Sequence, residues 1–329
     1  MPSARLRRTS GAQPQKQPGM NDTGNCTYED ESQLQDLAMK VYISILLVLG
    51  IVFNALALWV FCCRMRKKWM ETVIYMTNLA VADFCLLCVL PLMLYSLKYS
   101  RQEDTVLCQI SQSIYLVNSY MSISIIAMIA VDRYVAIRFP MLAKRLRSPG
   151  CSAIICAVLW VLVIISIASR LAWQVKDGGF CFSNENIYGS KTFIFSILGF
   201  FIPLIILTFC SIQVIVSLVR KKKTDAQEKK VIQKAIWIIS ANLLIFLVCF
   251  LPIHVALNIR RIVEPRTCSS ITMWKNVIFI TSRLSNANCC LDAICYYFVA
   301  KEFQEASAKS IFALPRSYKL QDSTQASVA

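Results

Sequence analysis

Two acidic residues, Asp83 and Asp292, interrupt long apolar stretches of this chain and are the first candidates for chemistry. The polar residues Asn54, Ser122 and Asn288 occur in similar stretches. A charge at the centre of a bilayer costs at least ~2.5–3.5 kcal/mol, so an ionisable group there is a functional candidate. Two carboxylates with amides and a hydroxyl could bind a cation, such as sodium at Asp83, or share a proton. Alternatively, they form a polar network that only sets helix packing.

Basic residues near the ends of the apolar stretches form a second group. Arg170 and Arg260 each follow such a stretch, and a guanidinium forms strong two-pronged hydrogen bonds with a carboxylate or phosphate. Lys98 directly follows another stretch, and Arg283 lies inside the last one. We predict that these residues bind a small anionic ligand. The alternative is that they only anchor the helix ends to lipid headgroups.

The sequence offers little for catalysis. His254 is the only histidine, so a site with two histidine ligands cannot form, and neither a Walker motif nor a Gly-x-Ser-x-Gly motif is present. We therefore expect a protein that is not an enzyme, in which His254 packs in the core or lines the ligand pocket.

The composition places these residues in membrane-spanning helices. The 329 residues are 56% hydrophobic and 16% charged, with a mean hydropathy of +0.53. Soluble domains are about 25% charged, so a soluble enzyme is excluded. Seven apolar stretches are long enough to cross the ~30 Å hydrocarbon layer, where a helix satisfies every backbone amide. They are Val41–Cys63, Thr72–Leu97, Thr105–Val131, Ser148–Ser169, Thr192–Val219, Ala235–Ile259 and Asn276–Ala300.

The predicted fold is an all-α membrane protein, a seven-transmembrane helix bundle over residues 38–300. Residues 1–37 precede the bundle, and residues 301–329 form a tail that starts with a short amphipathic helix, helix 8, over Lys301–Ala308. The net charge of +16 is concentrated in connections between spans, which argues against nucleic-acid binding.

Lys and Arg favour one side of the predicted membrane. They are concentrated in the connections after spans 1, 3 and 5, so these connections are expected in the cytosol and the N-terminus outside the cell. Glycosylation sequons at Asn21 and Asn25 agree with that orientation. Met20 is an alternative start.

Four cysteines fall on the predicted outer face, namely Cys26, Cys108, Cys181 and Cys268. An even number in an oxidising compartment favours disulfides. Cys108 could reach Cys181, which would leave Cys26 for Cys268. Four cysteines allow three connectivities, however, and spacing alone leaves the choice open.

The motif Asp132-Arg133-Tyr134 closes the third of the seven spans, and this register makes it specific. Together with matches in every span, it resembles the rhodopsin-like (class A) G-protein-coupled receptors over residues 40–308. The other matching residues are Asn54, Asn78-Leu-Ala-Val-Ala-Asp83, Cys108, Trp160, Pro203, Phe250-Leu-Pro252 and Asp292-Ala-Ile-Cys-Tyr296.

The resemblance implies a set of switch residues that carry a signal from ligand to G protein. These would be Asp132, Arg133, Tyr134, Ile123, Pro203, Phe246, Phe250 and Tyr296. Phe250 replaces the usual Trp, and Asp292-Ala293 replaces the usual Asn-Pro, which is expected to weaken a kink. Ile232 stands where some relatives have an acid. Arg133 is therefore expected to depend on Asp132 alone, which predicts appreciable basal activity.

The resemblance also bears on the ligand pocket. Tyr115 stands where amine receptors have an Asp, Asn286 where opsins have a Lys, and Ser119 where one relative has a ligand-binding Arg. The implied ligand is an aromatic carboxylate such as kynurenic acid, or lysophosphatidic acid. The implied partners are Gi/o and G12/13 class G proteins, arrestin and the lipid of the plasma membrane.

A membrane transporter or channel for anionic solutes is the alternative function. Transporters tend to have internal repeats and half-helices interrupted by Gly or Pro. No repeat is found here, and nine glycines are few for such interruptions. These features favour the receptor.

Overall fold

The computed structural model describes residues 33–64, 71–99, 106–176, 190–220, 226–265 and 267–299. These residues form helices joined by short connections, and none of them is in a strand. The α-helices are α1 (Gln33–Trp59), α2 (Glu71–Tyr99), α3 (Val106–Arg138), α4 (Pro140–Leu146), α5 (Pro149–Lys176), α6 (Ser190–Ser196), α7 (Ile202–Arg220), α8 (Ala226–Val263), α9 (Cys268–Asn286) and α10 (Asn288–Val299). Two π-helical turns, Val60–Arg64 and Ile197–Phe201, continue α1 and join α6 to α7.

Six helical stretches of the described residues are long and apolar enough to cross a membrane, and they coincide with the first six predicted spans. They are Leu37–Cys63, Glu71–Leu92, Val106–Arg138, Pro149–Trp173, Thr192–Arg220 and Ala235–Val263. Large apolar side chains such as Val48, Ile154 and Leu162 are exposed on their outer faces. Extensive exposed apolar surface marks contact with something other than water, which here is lipid.

The predicted seventh span, Asn276–Ala300, is interrupted. A turn at Ala287 separates α9 from α10. The Cys289 thiol donates to the carbonyl oxygen of Asn286 at 3.0 Å, and Asn54 Nδ2 donates to the carbonyl oxygen of Cys289 at 2.9 Å. These side chains satisfy carbonyl groups near the interruption, as backbone at membrane depth requires.

α3 runs through the middle of the bundle and packs against α2, α5 and α7. α1 packs against α2 and α10, while α8 packs against α7, α9 and α10 and so completes the ring of helices. α1 approaches α2 closely at Gly50, because a Cβ atom there would lie 2.6 Å from Leu87 Cδ2. Glycine permits such an approach.

Cys108 and Asp132 lie at opposite ends of α3 and define the two ends of the bundle, the Cys108 end and the Asp132 end. Successive spans run in opposite directions, so Arg170 and Arg260 lie at the Cys108 end. The predicted helix 8 at Lys301–Ala308 and the sequons at Asn21 and Asn25 lie outside the described residues and stay predictions.

Candidate functional site

A buried polar cluster joins four helices at mid-bundle. Asp83 of α2 is completely buried, and its Oδ1 accepts a hydrogen bond from Asn118 Nδ2 of α3 at 3.0 Å. Asn288 Nδ2 donates to Asp292 Oδ2 at 2.7 Å within α10, and Asn54 links α1 to α10 through the Cys289 carbonyl. The structure therefore places the predicted polar residues in the interior of the bundle.

Four oxygen atoms of this cluster are buried without a hydrogen-bond partner: Asp83 Oδ2, Asn54 Oδ1, Ser122 Oγ and Asn288 Oδ1. A buried polar atom left without a partner costs about 1–3 kcal/mol, so an unseen ion or water is expected beside such atoms. Carboxylate, amide and hydroxyl oxygens are ligands that hard cations prefer. The residues present therefore fit a sodium ion, for which Asp83, with its unpaired Oδ2, would supply negative charge.

Asn118 is a member of this cluster that the sequence analysis missed. It lies four residues before Ser122 on α3, so both side chains lie on the same face of that helix. The sequence did carry one indication of this role, because a polar residue lies one helical turn from Ser122 in a span without charges. The sequence does not show that Asn118 contacts Asp83, however, so Asn118 could not be distinguished from the other polar residues of the span.

An aromatic column connects the middle of the bundle to the Cys108 end. The Phe246 ring lies 5.4 Å from Phe250 and is stacked on Phe200 at 5.7 Å between centroids. Phe200 is stacked in turn on His254, at 4.1 Å with only 4° between the ring planes. The predicted switch residue Ile123 is fully buried in the same core. Ring contacts therefore run continuously from His254 to the switch residues.

Phe200 was also missed by the sequence analysis. It occupies the π-helical turn Ile197–Phe201, two residues before α7 starts at Ile202. A π-turn adds a residue to the helical turn and changes which side chains face inward. Pro203 follows the π-turn closely, inside the continuous helical segment 190–220, and a local π-turn is one way in which a helix accommodates the N–H that proline lacks. The apolar sequence carries no mark of the π-turn, which explains why Phe200 was not predicted.

The three predicted arginines at the Cys108 end are buried, with exposed fractions of 6% for Arg170, 4% for Arg260 and 7% for Arg283. The Arg170 guanidinium lies 5.9 Å from the centroid of Phe195 and beside the Tyr120 phenol. The Arg283 guanidinium lies over the Phe279 ring at 4.9 Å. Burial of this extent disagrees with the alternative that these arginines only anchor the protein to lipid headgroups.

Polar contacts fix the surroundings of Arg170. Ser196 Oγ lies 3.2 Å from His254 Nδ1, and Asn258 Nδ2 donates to Ser196 Oγ at 2.9 Å. These bonds hold α6 and α8 together. The ring of Tyr120, on α3, lies 6.3 Å from the His254 ring between centroids. His254 is therefore held in place, and it lies close enough to Arg170 for the two groups to interact electrostatically, as a residue that lines the pocket would.

The predicted pocket residues of α3 have defined partners. The Tyr115 hydroxyl lies 3.1 Å from Ser282 Oγ of α9, which joins the third and seventh spans. Ser119 Oγ donates to the Tyr115 carbonyl oxygen at 3.0 Å, so its hydroxyl is already bonded within its own helix. The side chain of Lys98 lies outside the described part of the chain.

At the other end of the bundle, Asp132 pairs with Arg147 rather than with Arg133. Arg147 Nε and Nη2 donate to the two Asp132 oxygens at 2.7 and 3.0 Å, and Nη2 also contacts Glu71 Oε2 at 3.2 Å. Within the described residues, no hydrogen bond or ion pair joins Arg133 to Asp132. The prediction that Arg133 depends on Asp132 alone is therefore corrected: the hydrogen bonds of Asp132 go to Arg147, and the charges of both Asp132 and Glu71 act on Arg133.

Arg147 lies directly after α4, in a connection that the sequence analysis treated only as a carrier of positive charge. Partial burial lowers the pKa of Arg147, but the hydrogen bond and charge of Asp132 outweigh this effect, and the pKa is raised. The neighbouring motif residue Tyr134 contacts the rings of Phe139 and Phe209, each at 5.7 Å. The side chain of Tyr296 lies outside the described part.

Cys108 and Cys268 are both disulfide-bonded. Cys26 and Cys181 lie outside the described residues, so the pairing stays a prediction.

Comparison with known families accounts for this arrangement. The model of the family described as "7 transmembrane receptor (rhodopsin family)" matches residues 53–296. The chain belongs to this family. The receptor is thus a multi-pass membrane protein of the plasma membrane and not an enzyme. Its bundle has seven spans, the seventh formed by α9 and α10 together, which confirms the predicted fold class.

Individual receptors are similar over most of the chain. The G-protein coupled receptor 35 of Homo sapiens is 52% identical over 287 residues, which cover 87% of this chain and 92% of the relative. The Mus musculus protein of the same name is 51% identical over 283 residues, covering 86% and 91%. Lysophosphatidic acid receptor 4 of Homo sapiens is 33% identical over 301 residues, covering 87% and 80%. These similarities support a receptor for small lipid-like or anionic ligands.

Proposed function

We propose that this receptor binds a small anionic ligand at the Cys108 end and responds by activating G proteins of the Gi/o and G12/13 classes. The observation that carries the proposal is the buried Arg170 guanidinium beside the Tyr120 phenol and the Phe195 ring. A guanidinium binds a carboxylate through two parallel hydrogen bonds, and neighbouring rings suit a flat aromatic ligand. An aromatic carboxylate such as kynurenic acid meets both requirements.

Charge around the pocket supports an anion. The buried carboxylates of the described residues, Asp83 and Asp292, both belong to the mid-bundle cluster, whereas Arg170, Arg260 and Arg283 are buried near the Cys108 end. A pocket with one sign of charge and low-dielectric walls attracts ligands of the opposite sign. Lysophosphatidic acid, from which one relative takes its name, would present a phosphate to the same guanidiniums. The aromatic rings around Arg170 favour the carboxylate.

The aromatic column offers a route from the ligand to the G protein. A ligand at Arg170 would press on His254, whose ring is stacked on Phe200 and through it on Phe246. A ligand shifts the equilibrium between helix arrangements only if it binds one of them better. In the proposed mechanism, the bound anion favours the arrangement in which Arg133 is available to a G protein. Arrestin would then engage the phosphorylated tail.

The proposed orientation has the N-terminus and the Cys108 end outside the cell. The basic connections after spans 1, 3 and 5 support it, because such connections remain in the cytosol. We also propose that Asp83, Asn54, Ser122 and Asn288 hold an allosteric sodium ion, which would neutralise the buried carboxylate charge.

A G-protein dissociation assay in cells tests the proposal with a panel of aromatic carboxylates. Arg170→Gln should weaken the response to an active acid by about 10- to 100-fold, because a hydrogen bond to a charged group contributes about 1.5–3 kcal/mol. Arg261→Gln, at the same end of the bundle, is the matched control and should change potency much less. An unchanged response in Arg170→Gln, at equal surface expression, would reject the proposed pocket.

A further inference from the structure

Two adjacent cysteines, Cys62 and Cys63, lie exposed at the last turn of the first span. They follow Val60 and Phe61, which are fully buried against the bundle in the same π-helical turn. The side chains of Val60 and Phe61 therefore face the interior of the bundle, and those of Cys62 and Cys63 face outward. Both thiols lie on the outer surface of the protein.

The position of the two thiols along the membrane normal can be fixed from their neighbours. The apolar span ends at Cys63, and the sequence continues with the basic residues Arg64, Arg66, Lys67 and Lys68. Trp59, one turn earlier, is 42% exposed, and tryptophan favours the membrane interface. Glu71, at the start of α2, contacts Arg147 at the Asp132 end. The thiols therefore lie at the membrane boundary of that end.

Other exposed cysteines differ from this pair in depth or number. Cys85 and Cys88 are exposed but lie within the second span, in its half nearer the Cys108 end. Cys151 is exposed near the start of α5 and is a single residue. Only Cys62 and Cys63, among the described cysteines, combine exposure, adjacency and a basic segment directly after them.

We propose that Cys62 and Cys63 are sites of reversible S-acylation by a long-chain fatty acid. The inference goes beyond ligand binding but rests on the proposed orientation, which puts these thiols in the reducing cytosol. Juxtamembrane cysteines are the kind of residue on which this modification occurs. An acyl chain there would lie in lipid beside α1.

The reaction is a thioester exchange. The cysteine thiolate attacks the carbonyl carbon of a long-chain acyl-coenzyme A and forms a new sulfur–carbon bond. The bond from that carbon to the coenzyme A sulfur breaks, and coenzyme A leaves as a thiol with the proton that the cysteine gave up. No oxidant or reductant takes part.

The test uses the full-length receptor in cells fed an alkyne-bearing palmitate analogue. We expect label on the wild type that hydroxylamine removes, as a thioester requires. The double variant Cys62→Ala, Cys63→Ala should lose it. The matched double variant Cys85→Ala, Cys88→Ala and the single variant Cys151→Ala should keep it. Absence of label on the wild type, or label that persists in the Cys62→Ala, Cys63→Ala variant, would overturn the proposal.

A parallel measurement separates this proposal from the proposed function. Surface amount and G-protein response to an aromatic carboxylate are recorded for every variant. Because Cys62 and Cys63 are exposed, replacing them by alanine leaves no cavity and should preserve the fold. An intact response without label contradicts S-acylation alone. Label without a response contradicts the ligand proposal alone.

Discussion

Replacing Arg147 by alanine tests how the Asp132-Arg133-Tyr134 motif controls basal signalling. Arg147 holds both carboxylate oxygens of Asp132, at 2.7 and 3.0 Å, and so keeps that carboxylate from the adjacent Arg133. In Arg147→Ala, Asp132 loses this partner and can pair with Arg133 instead. Because the proposed mechanism requires an available Arg133, we expect ligand-free signalling to fall.

The size of the effect follows from the exposure of the groups. The Arg147 side chain is 27% exposed and that of Asp132 8%, so the pairs at this site lie between surface and interior. Exposed ion pairs contribute about 0.2–1 kcal/mol, and hydrogen bonds to charged groups up to about 3 kcal/mol. A new Asp132–Arg133 pair of about 1 kcal/mol would lower the equilibrium constant for the active arrangement about fivefold.

The assay is ligand-free G-protein dissociation, normalised to the amount of receptor at the cell surface. In an Asp132→Asn background, Arg147→Ala should have little further effect, because the carboxylate that could restrain Arg133 is absent. Arg147→Lys keeps the charge but loses the two-pronged geometry, so it should fall between wild type and Arg147→Ala. A rise in basal signalling in Arg147→Ala, or an equal fall in the Asp132→Asn background, would show that Arg147 does not act by keeping Asp132 from Arg133.

Three further predictions concern packing and the polar cluster. Gly50→Ala should lower the free energy of unfolding by about 1–3 kcal/mol, because the added methyl group would overpack against Leu87. Gly150→Ala is the control, since open space surrounds that position, and equal unfolding temperatures in the two variants would contradict the close helix approach. Phe200→Ala should lower the free energy of unfolding by about 3–5 kcal/mol and weaken the agonist response. Phe193→Ala, on the exposed surface, should change both quantities little, and the same loss in both variants would argue against the aromatic column. Agonist affinity should depend on sodium, relative to potassium, in the wild type but not in Asp83→Asn; sodium dependence that persists in the variant would exclude the proposed cation site.

The membrane spans could be predicted because they depend on the hydrophobicity of consecutive residues, which can be read directly from the sequence. Transfer of an apolar helix into lipid is decided by its own side chains, so the first six spans coincide with helices of the structure. The interruption at Ala287 was not predictable in the same way. It is accommodated by Asn54, which is distant in sequence and donates to the Cys289 carbonyl.

Residues of the candidate site could be predicted where a charged or polar side chain lies in or next to an apolar span. Asp83 and Arg170 were found for that reason, and both are buried in the interior. Phe200 is apolar among apolar residues, so only its stacking on His254 reveals its role. Arg147 lies 15 residues from Asp132 in a basic connection, and its role depends on the folded connection that brings the two together.

Direct binding to purified receptor tests the claim that the Arg170 guanidinium binds the charge of the ligand. An active aromatic carboxylate and its neutral primary amide are compared on the wild type and on Arg170→Gln. We expect the wild type to prefer the acid by about 10- to 100-fold and Arg170→Gln to lose most of this preference. A preference for the acid that is equally large in both proteins would contradict the claim.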